Sequence, residues 1–74
     1  MRKNYVTAVN RDGGRVTGVT AEAEGVTLWF TPGNNGRPVL TGRARHTGRY
    51  YPGALYVSRM AYAQIIRQIY AIMA

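Results

Sequence analysis

The chain has no cysteine, three acidic residues and one histidine, and these shortages remove whole classes of function before any motif is read. Without cysteine there is neither a disulfide framework nor a thiolate metal site, a composition that fits a reducing cytoplasm. The acids are Asp12, Glu22 and Glu24. Asp12 sits in a turn and the two glutamates flank another, where local backbone bonding accounts for them. His46 stands beside arginines that repel a cation, whereas a metal site typically wants three or four ligands. No catalytic residue, metal or cofactor is assigned, and the chain is expected not to be an enzyme. Long apolar runs are also missing: Arg59 and Arg67 interrupt the only candidate for the roughly 20 residues that span a bilayer. No apolar stretch follows the basic start Met1-Arg2-Lys3, so a secretory signal is not expected. These absences predict a soluble, cytoplasmic protein with no membrane partner.

What is present is positive charge. The 74 residues carry ten Lys and Arg for a net charge of +7, and nine of the ten are arginine. Arginine offers a planar fork of donors that fits phosphate oxygens in pairs and stacks on flat rings, while lysine is a point charge. The composition therefore favours a polyanion or an acidic partner over mere solubility, which Lys and Glu mixtures serve as well. Residues 1–74 make one domain. A chain of this length hides only about 60% of its unfolded surface, so association with a partner is a live option.

Along the chain, residues 4–10 predict a first strand, with Val6 and Ala8 on one face and Tyr5, Thr7 and Val9 on the other. Arg11-Asp12-Gly13-Gly14 turns it into a second strand, 15–23, where Gly18 marks a bulge because the apolar set changes face. After Glu24-Gly25 a third strand, 26–31, points Val26, Leu28 and Phe30 to the core and Thr27, Trp29 and Thr31 away. Pro32-Gly33-Asn34-Asn35-Gly36 is the densest turn signal. A fourth strand, 38–47, is read with Leu40 and Ala44 inward and Thr41, Arg43, Arg45 and Thr47 outward, its leading proline suiting an edge. A loop over 48–53 and a short extended piece at 54–57 lead to Ser58, an N-cap for a helix over 59–73. Tyr62, Ile65, Ile66, Ile69, Ile72 and Met73 share its apolar face, and Gln64, Arg67 and Gln68 its wet one. The expected class is α+β: a three- to four-stranded antiparallel sheet packed against one C-terminal helix.

Gly33-Asn34-Asn35-Gly36 and Asp12-Gly13-Gly14 join strands and do not open helices, so they read as turns and not as phosphate cradles. The informative segment is 37–51, where Arg37, Arg43, Arg45, His46 and Arg49 alternate with threonine and tyrosine and no acid intervenes. Arg43 and Arg45 share a strand face about 6.8 Å apart, near the spacing of successive phosphates in an extended strand. Tyr50, Tyr51 or Trp29 can stack on bases, or the tyrosine pair can simply close the core. Arg2, Lys3, Arg11 and Arg15 extend the same basic surface if the first hairpin neighbours it. The wide helix stripe, with Met60, Tyr70 and Ala71 at its margins, is core packing or the seam of a homodimer.

The stretch 55–69, Leu-Tyr-Val-Ser-Arg-Met-Ala-Tyr-Ala-Gln-Ile-Ile-Arg-Gln-Ile, resembles the end of the single-stranded-DNA-binding transcriptional coactivator family known as positive cofactor four. Ser58, Tyr62, Gln64, Ile65 and Ile69 carry the match, all at structural positions. The resemblance implies a four-stranded antiparallel sheet, a helix-mediated homodimer and a single strand laid over a basic, aromatic-bearing sheet face. That family's lysine-rich surface has no counterpart here, where arginine would replace it. A rival architecture is the three-stranded sheet and helix of some phage-type integrase DNA-binding domains.

The expected function is binding of single-stranded DNA or RNA with low sequence specificity, as in transcription regulation, through Arg37, Arg43, Arg45, Arg49, Tyr50, Tyr51, Trp29, Lys3 and Arg15. The alternative is a small phage- or mobile-element-type regulator that docks on an acidic surface of a host machine such as RNA polymerase or a defence complex. A third option is a basic component of a ribosome or virion.

Overall fold

Alternation sets the central strand: in β3, Val26–Pro32, the side chains of Val26, Leu28 and Phe30 are 1–2% exposed while Trp29 between them is 42% exposed. The computed structural model describes residues 3–51 and 56–73. Around β3 stand β1, Val6–Asp12, β2, Arg15–Ala23, and β4, Pro38–Arg45, in an antiparallel sheet of order β1-β2-β3-β4, with α1, Arg59–Met73, across one face. The α+β expectation, with four strands and one C-terminal helix, is met.

The turn between β2 and β3 is two residues long, Glu24 and Gly25, at φ 54° and 77°. Two left-handed residues match the twist of the flanking strands, which is why such hairpins close tightly. Gly25 is needed twice over, because a Cβ there would overlap the Thr47 carbonyl. The chain after β4 folds down on this turn, with the amides of His46 and Thr47 both donating to Gly25 O at 2.8 and 3.0 Å. That diversion ends β4 at Arg45, two residues earlier than the alternation suggests.

Each register shift in the sheet inserts one threonine. Thr7 lies between the pairs Val6↔Ala21 and Ala8↔Thr20, Thr17 between Arg11↔Val16 and Asn10↔Gly18, and Thr41 between Phe30↔Leu40 and Trp29↔Gly42. In every case its hydroxyl donates across the ladder to a main-chain carbonyl: Thr7 to Thr20 O at 3.4 Å, Thr17 to Asn10 O at 3.3 Å and Thr41 to Trp29 O at 3.2 Å. A bulge breaks the regular ladder locally, and the hydroxyl supplies a donor where it is disturbed.

These bulges overturn two readings of which side chains share a face, since residues directly opposite in a ladder lie on the same side. Val6 and Val9 both join the core face, opposite Ala21 and Val19, whereas Ala8 faces away opposite Thr20. In β4 the extra Thr41 reverses the alternation after Leu40. Arg43 and Arg45 therefore stand on the helix-covered side, opposite Leu28 and Val26, and Ala44 faces the open side opposite Thr27. The change of face expected near Gly18 is made by its neighbour Thr17.

Ser58 caps α1 by accepting the Ala61 amide at 3.2 Å. Ala61, Ile65 and Ile69 are buried, and Tyr62, Ile66 and Met73 pack beside the core. Tyr62 meets Phe30 at 6.2 Å between ring centroids, joining helix to sheet. Gln68 is not on the wet side: its side chain accepts the Tyr5 amide at 2.9 Å and donates to Lys3 O at 2.7 Å, pinning the arm before β1. Of the extended piece expected at 54–57, residues 54–55 lie outside the described residues, as does Arg2, while Tyr56 and Val57 form a bend with Val57 1% exposed. No helix among the described residues is long and apolar enough to cross a membrane.

Candidate nucleic-acid interface

β4 is an edge strand, so side chains leaving its helix-facing side emerge where the sheet stops. There Arg43 and Arg45 converge on one ring. The Tyr56 centroid lies 4.4 Å from Arg43 Cζ and 4.9 Å from Arg45 Cζ, and the Tyr50 centroid lies 5.5 Å from Arg45 Cζ. Guanidinium groups at such distances are attracted to the π-face. The result is an interleaved group of Arg43, Tyr56, Arg45 and Tyr50, whose last member is 80% exposed.

Arg45 is also a clamp. Its two terminal nitrogens donate to Arg49 O and to Tyr56 O, the second at 3.2 Å, so it holds both ends of the loop that carries Tyr50. Its guanidinium is thereby engaged with main chain as well as with the two rings, and Arg43 beside it also packs on Tyr56.

Glu24 makes a second latch. Its carboxylate accepts the Ser58 amide at 2.6 Å and the Tyr51 hydroxyl at 2.9 Å. The Ser58 amide holds the Glu24 pKa below its ordinary value despite opposing desolvation, with Tyr51 and Arg49 adding to the effect. The same contact, foremost through the hydrogen bond, raises the Tyr51 pKa. Tyr51 thus fastens the loop, while its neighbour Tyr50 presents an open ring.

The remaining residues scatter. Arg49 is exposed beside Glu24 and Tyr51. Arg37 is exposed in the β3–β4 turn, at the far end of β4. Arg15 lies at the β1–β2 turn, where with Arg11, Ile72 and Met73 it lines a recess of about 240 Å³. Lys3 sits before the opposite edge strand, its ammonium 5.4 Å from the Tyr5 ring. Trp29 is on the open face, away from the arginine and tyrosine group. The single basic, aromatic sheet face expected from alternation is therefore divided between an edge and the open side.

On the open face Thr27 is 7% exposed, and its hydroxyl lies 3.3 Å from Glu22 Oε1 and 3.2 Å from His46 Nε2. A hydroxyl has one proton, so a Thr27 that donates to Glu22 accepts from Nε2–H of His46. This trio uses up the histidine and one of the acids in mutual hydrogen bonds. Among the described residues no group of three His, Cys, Asp or Glu side chains is placed to hold a metal.

The sequence pattern gives Tyr56 no role, puts Gln68 on the wet face and accounts for Glu24 by local backbone bonding, whereas Glu24 binds the distant Ser58 and Tyr51. An acid in a turn and a tyrosine before a helix are ordinary, and their partners lie far along the chain: the Ser58 amide and the Tyr51 hydroxyl for Glu24, the Arg43 and Arg45 guanidinium groups for Tyr56. No protein-family model, curated protein or solved structure matches this chain.

Proposed function

We propose that this chain binds single-stranded nucleic acid along the β4 edge and catalyses no reaction. The observation that carries the reading is Tyr50, 80% exposed at the end of the arginine and tyrosine group with Arg49 next to it in sequence. An aromatic face accepts any base and guanidinium groups neutralise phosphate, a pairing that binds without strong sequence preference. Arg43, Arg49 and Tyr50 are assigned to the ligand, while Arg45 and Tyr51 hold the loop in place. The resemblance to the coactivator family points to the same ligand class, but the residues favour the edge over the sheet face. Gel shifts with single- and double-stranded DNA and RNA test the proposal. Retention of single strands, weakened in Arg43→Ala and Arg49→Ala, supports it, and retention of none contradicts it.

Met60 favours a second reading. It is 75% exposed in the first turn of α1, four residues past Tyr56, whose carbonyl Arg45 holds. Methionine, tyrosine and arginine together are the composition of protein interfaces, which suits a regulator docking on an acidic protein. Capture of one stoichiometric protein from lysate freed of nucleic acid, with no oligonucleotide bound, distinguishes the two. A homodimer through α1 is not part of the proposal. Arg67 lies between the exposed Met60 and Tyr70 on the same side of α1, so a two-fold pairing of that face brings positive charge into the seam.

A further inference from the structure

Two of the exposed aromatic rings, Tyr50 beside Arg45 and Trp29 on the open face, lie to either side of the sheet near its β4 edge, and their placement says how a ligand would run. In the β3–β4 ladder the pair Leu28↔Arg43 is followed directly by Trp29↔Gly42. Arg43 therefore emerges on the helix side one step from where Trp29 emerges on the open side. Between them is only the thickness of a sheet, about 10 Å with its side chains. Because β4 has no further strand beyond it, nothing in the sheet blocks a path around that edge.

The open side is shaped to receive a flat ring. Gly42 has no side chain, and a Cβ there would come within 3.3 Å of the indole Cε3, so the ring rests against β4 with its outer surface exposed. Directly opposite Trp29 on that face are Thr20 and Gly42, and one step along lie Thr27 with Ala44 on one side and Glu22 on the other.

We propose that a bound strand wraps the β4 edge, stacking one base on Tyr50 on the helix side and another on Trp29 on the open side. The inference rests on the edge reading above and specifies its ligand as an unpaired, flexible strand. A duplex is excluded by its own mechanics: its bases are stacked inside, and its persistence length of about 50 nm forbids a turn around an edge of this thickness. A strand must also be long enough to reach both rings, and single-strand-binding OB folds, domains of similar size, cover roughly 4–16 nucleotides.

The chain has one tryptophan and six tyrosines, so emission excited at the long-wavelength edge, where tyrosine does not absorb, reports the Trp29 platform alone. The experiment titrates the full chain with unlabelled oligothymidylates of three and twelve nucleotides and with a blunt duplex, following Trp29 emission, while anisotropy of labelled oligonucleotides reports total binding. Wrapping predicts that the twelve-mer quenches Trp29, that the three-mer binds at the edge with little quenching, and that the duplex does not quench. Trp29→Ala should weaken the twelve-mer about tenfold and leave the three-mer unchanged, with Trp29→Phe restoring most of the loss. Circular dichroism of both variants checks the fold. Salt-sensitive binding of the twelve-mer with Trp29 emission unchanged overturns wrapping and leaves the edge reading intact. Quenching by the duplex equal to that by the twelve-mer overturns the unpaired-strand requirement. Absence of oligonucleotide binding at low salt overturns both.

Discussion

The Glu24 carboxylate accepts the Ser58 amide at 2.6 Å, which ties the β2–β3 turn to the residue that caps α1. One acid thereby secures the end of the loop that carries Tyr50. Its lowered pKa makes this latch sensitive to acid. A carboxylate whose folded pKa is depressed stabilises the fold above its unfolded value, and that contribution disappears as pH falls through the folded pKa. Thermal melts should therefore show a Tm that declines as pH drops below the ordinary value of 4.5. Glu24→Gln should lower Tm at neutral pH by about 2–5 °C and flatten that acid limb, the effect being modest because the group is exposed. Parallel acid limbs in the two proteins would count against the latch.

Arg45 and Arg49 should separate cleanly. Arg45→Ala removes both carbonyl contacts of the clamp and should cost about 1–2 kcal/mol of stability, read by urea denaturation. Arg49→Ala should leave the denaturation midpoint almost unmoved while weakening oligonucleotide binding. The reverse pattern would assign the clamp to the wrong arginine.

Thr41 is placed to be structural despite its exposure. Thr41→Val keeps the shape and loses the hydroxyl donor to Trp29 O, and should cost about 1 kcal/mol. Thr41→Ser, which keeps the donor, should recover most of it. Equal losses in both variants would count against the hydroxyl donor.

Those bulges also explain what could be read without coordinates. The alternation of Val26, Leu28 and Phe30 gave the central strand and its buried face, and the spacing of Ile65 and Ile69 after Ser58 gave the helix. Period-two reading carries across a strand only while the ladder is unbroken. A threonine at a bulge looks like any strand threonine, so the reversal at Thr41 that moves Arg43 and Arg45 to the helix side left no mark in the pattern. The clamp was hidden for a different reason: Arg45 binds the carbonyls of Arg49 and Tyr56, and a carbonyl is the same at every residue. The basic and aromatic composition of 37–51 was legible, but its division between an edge and a face was not.

Arg67 should oppose self-association through α1. Sedimentation at tens of micromolar is expected to give a monomer for the wild type, and Arg67→Leu, which joins Met60 and Tyr70 into one apolar stripe, is expected to shift it towards a dimer. A wild-type dimer whose affinity is unaffected at this position would contradict the argument.

The central claim is that guanidinium groups at the β4 edge neutralise phosphates of a single strand, and the most direct test is the salt dependence of its affinity. For a single strand the slope of log affinity against log salt is about −0.7 per neutralised phosphate. The two arginines assigned to phosphate, Arg43 and Arg49, predict a slope of about −1.4 for a twelve-nucleotide oligothymidylate, made shallower by about 0.7 in Arg49→Ala. A slope near zero, or no binding at low salt, would contradict the account.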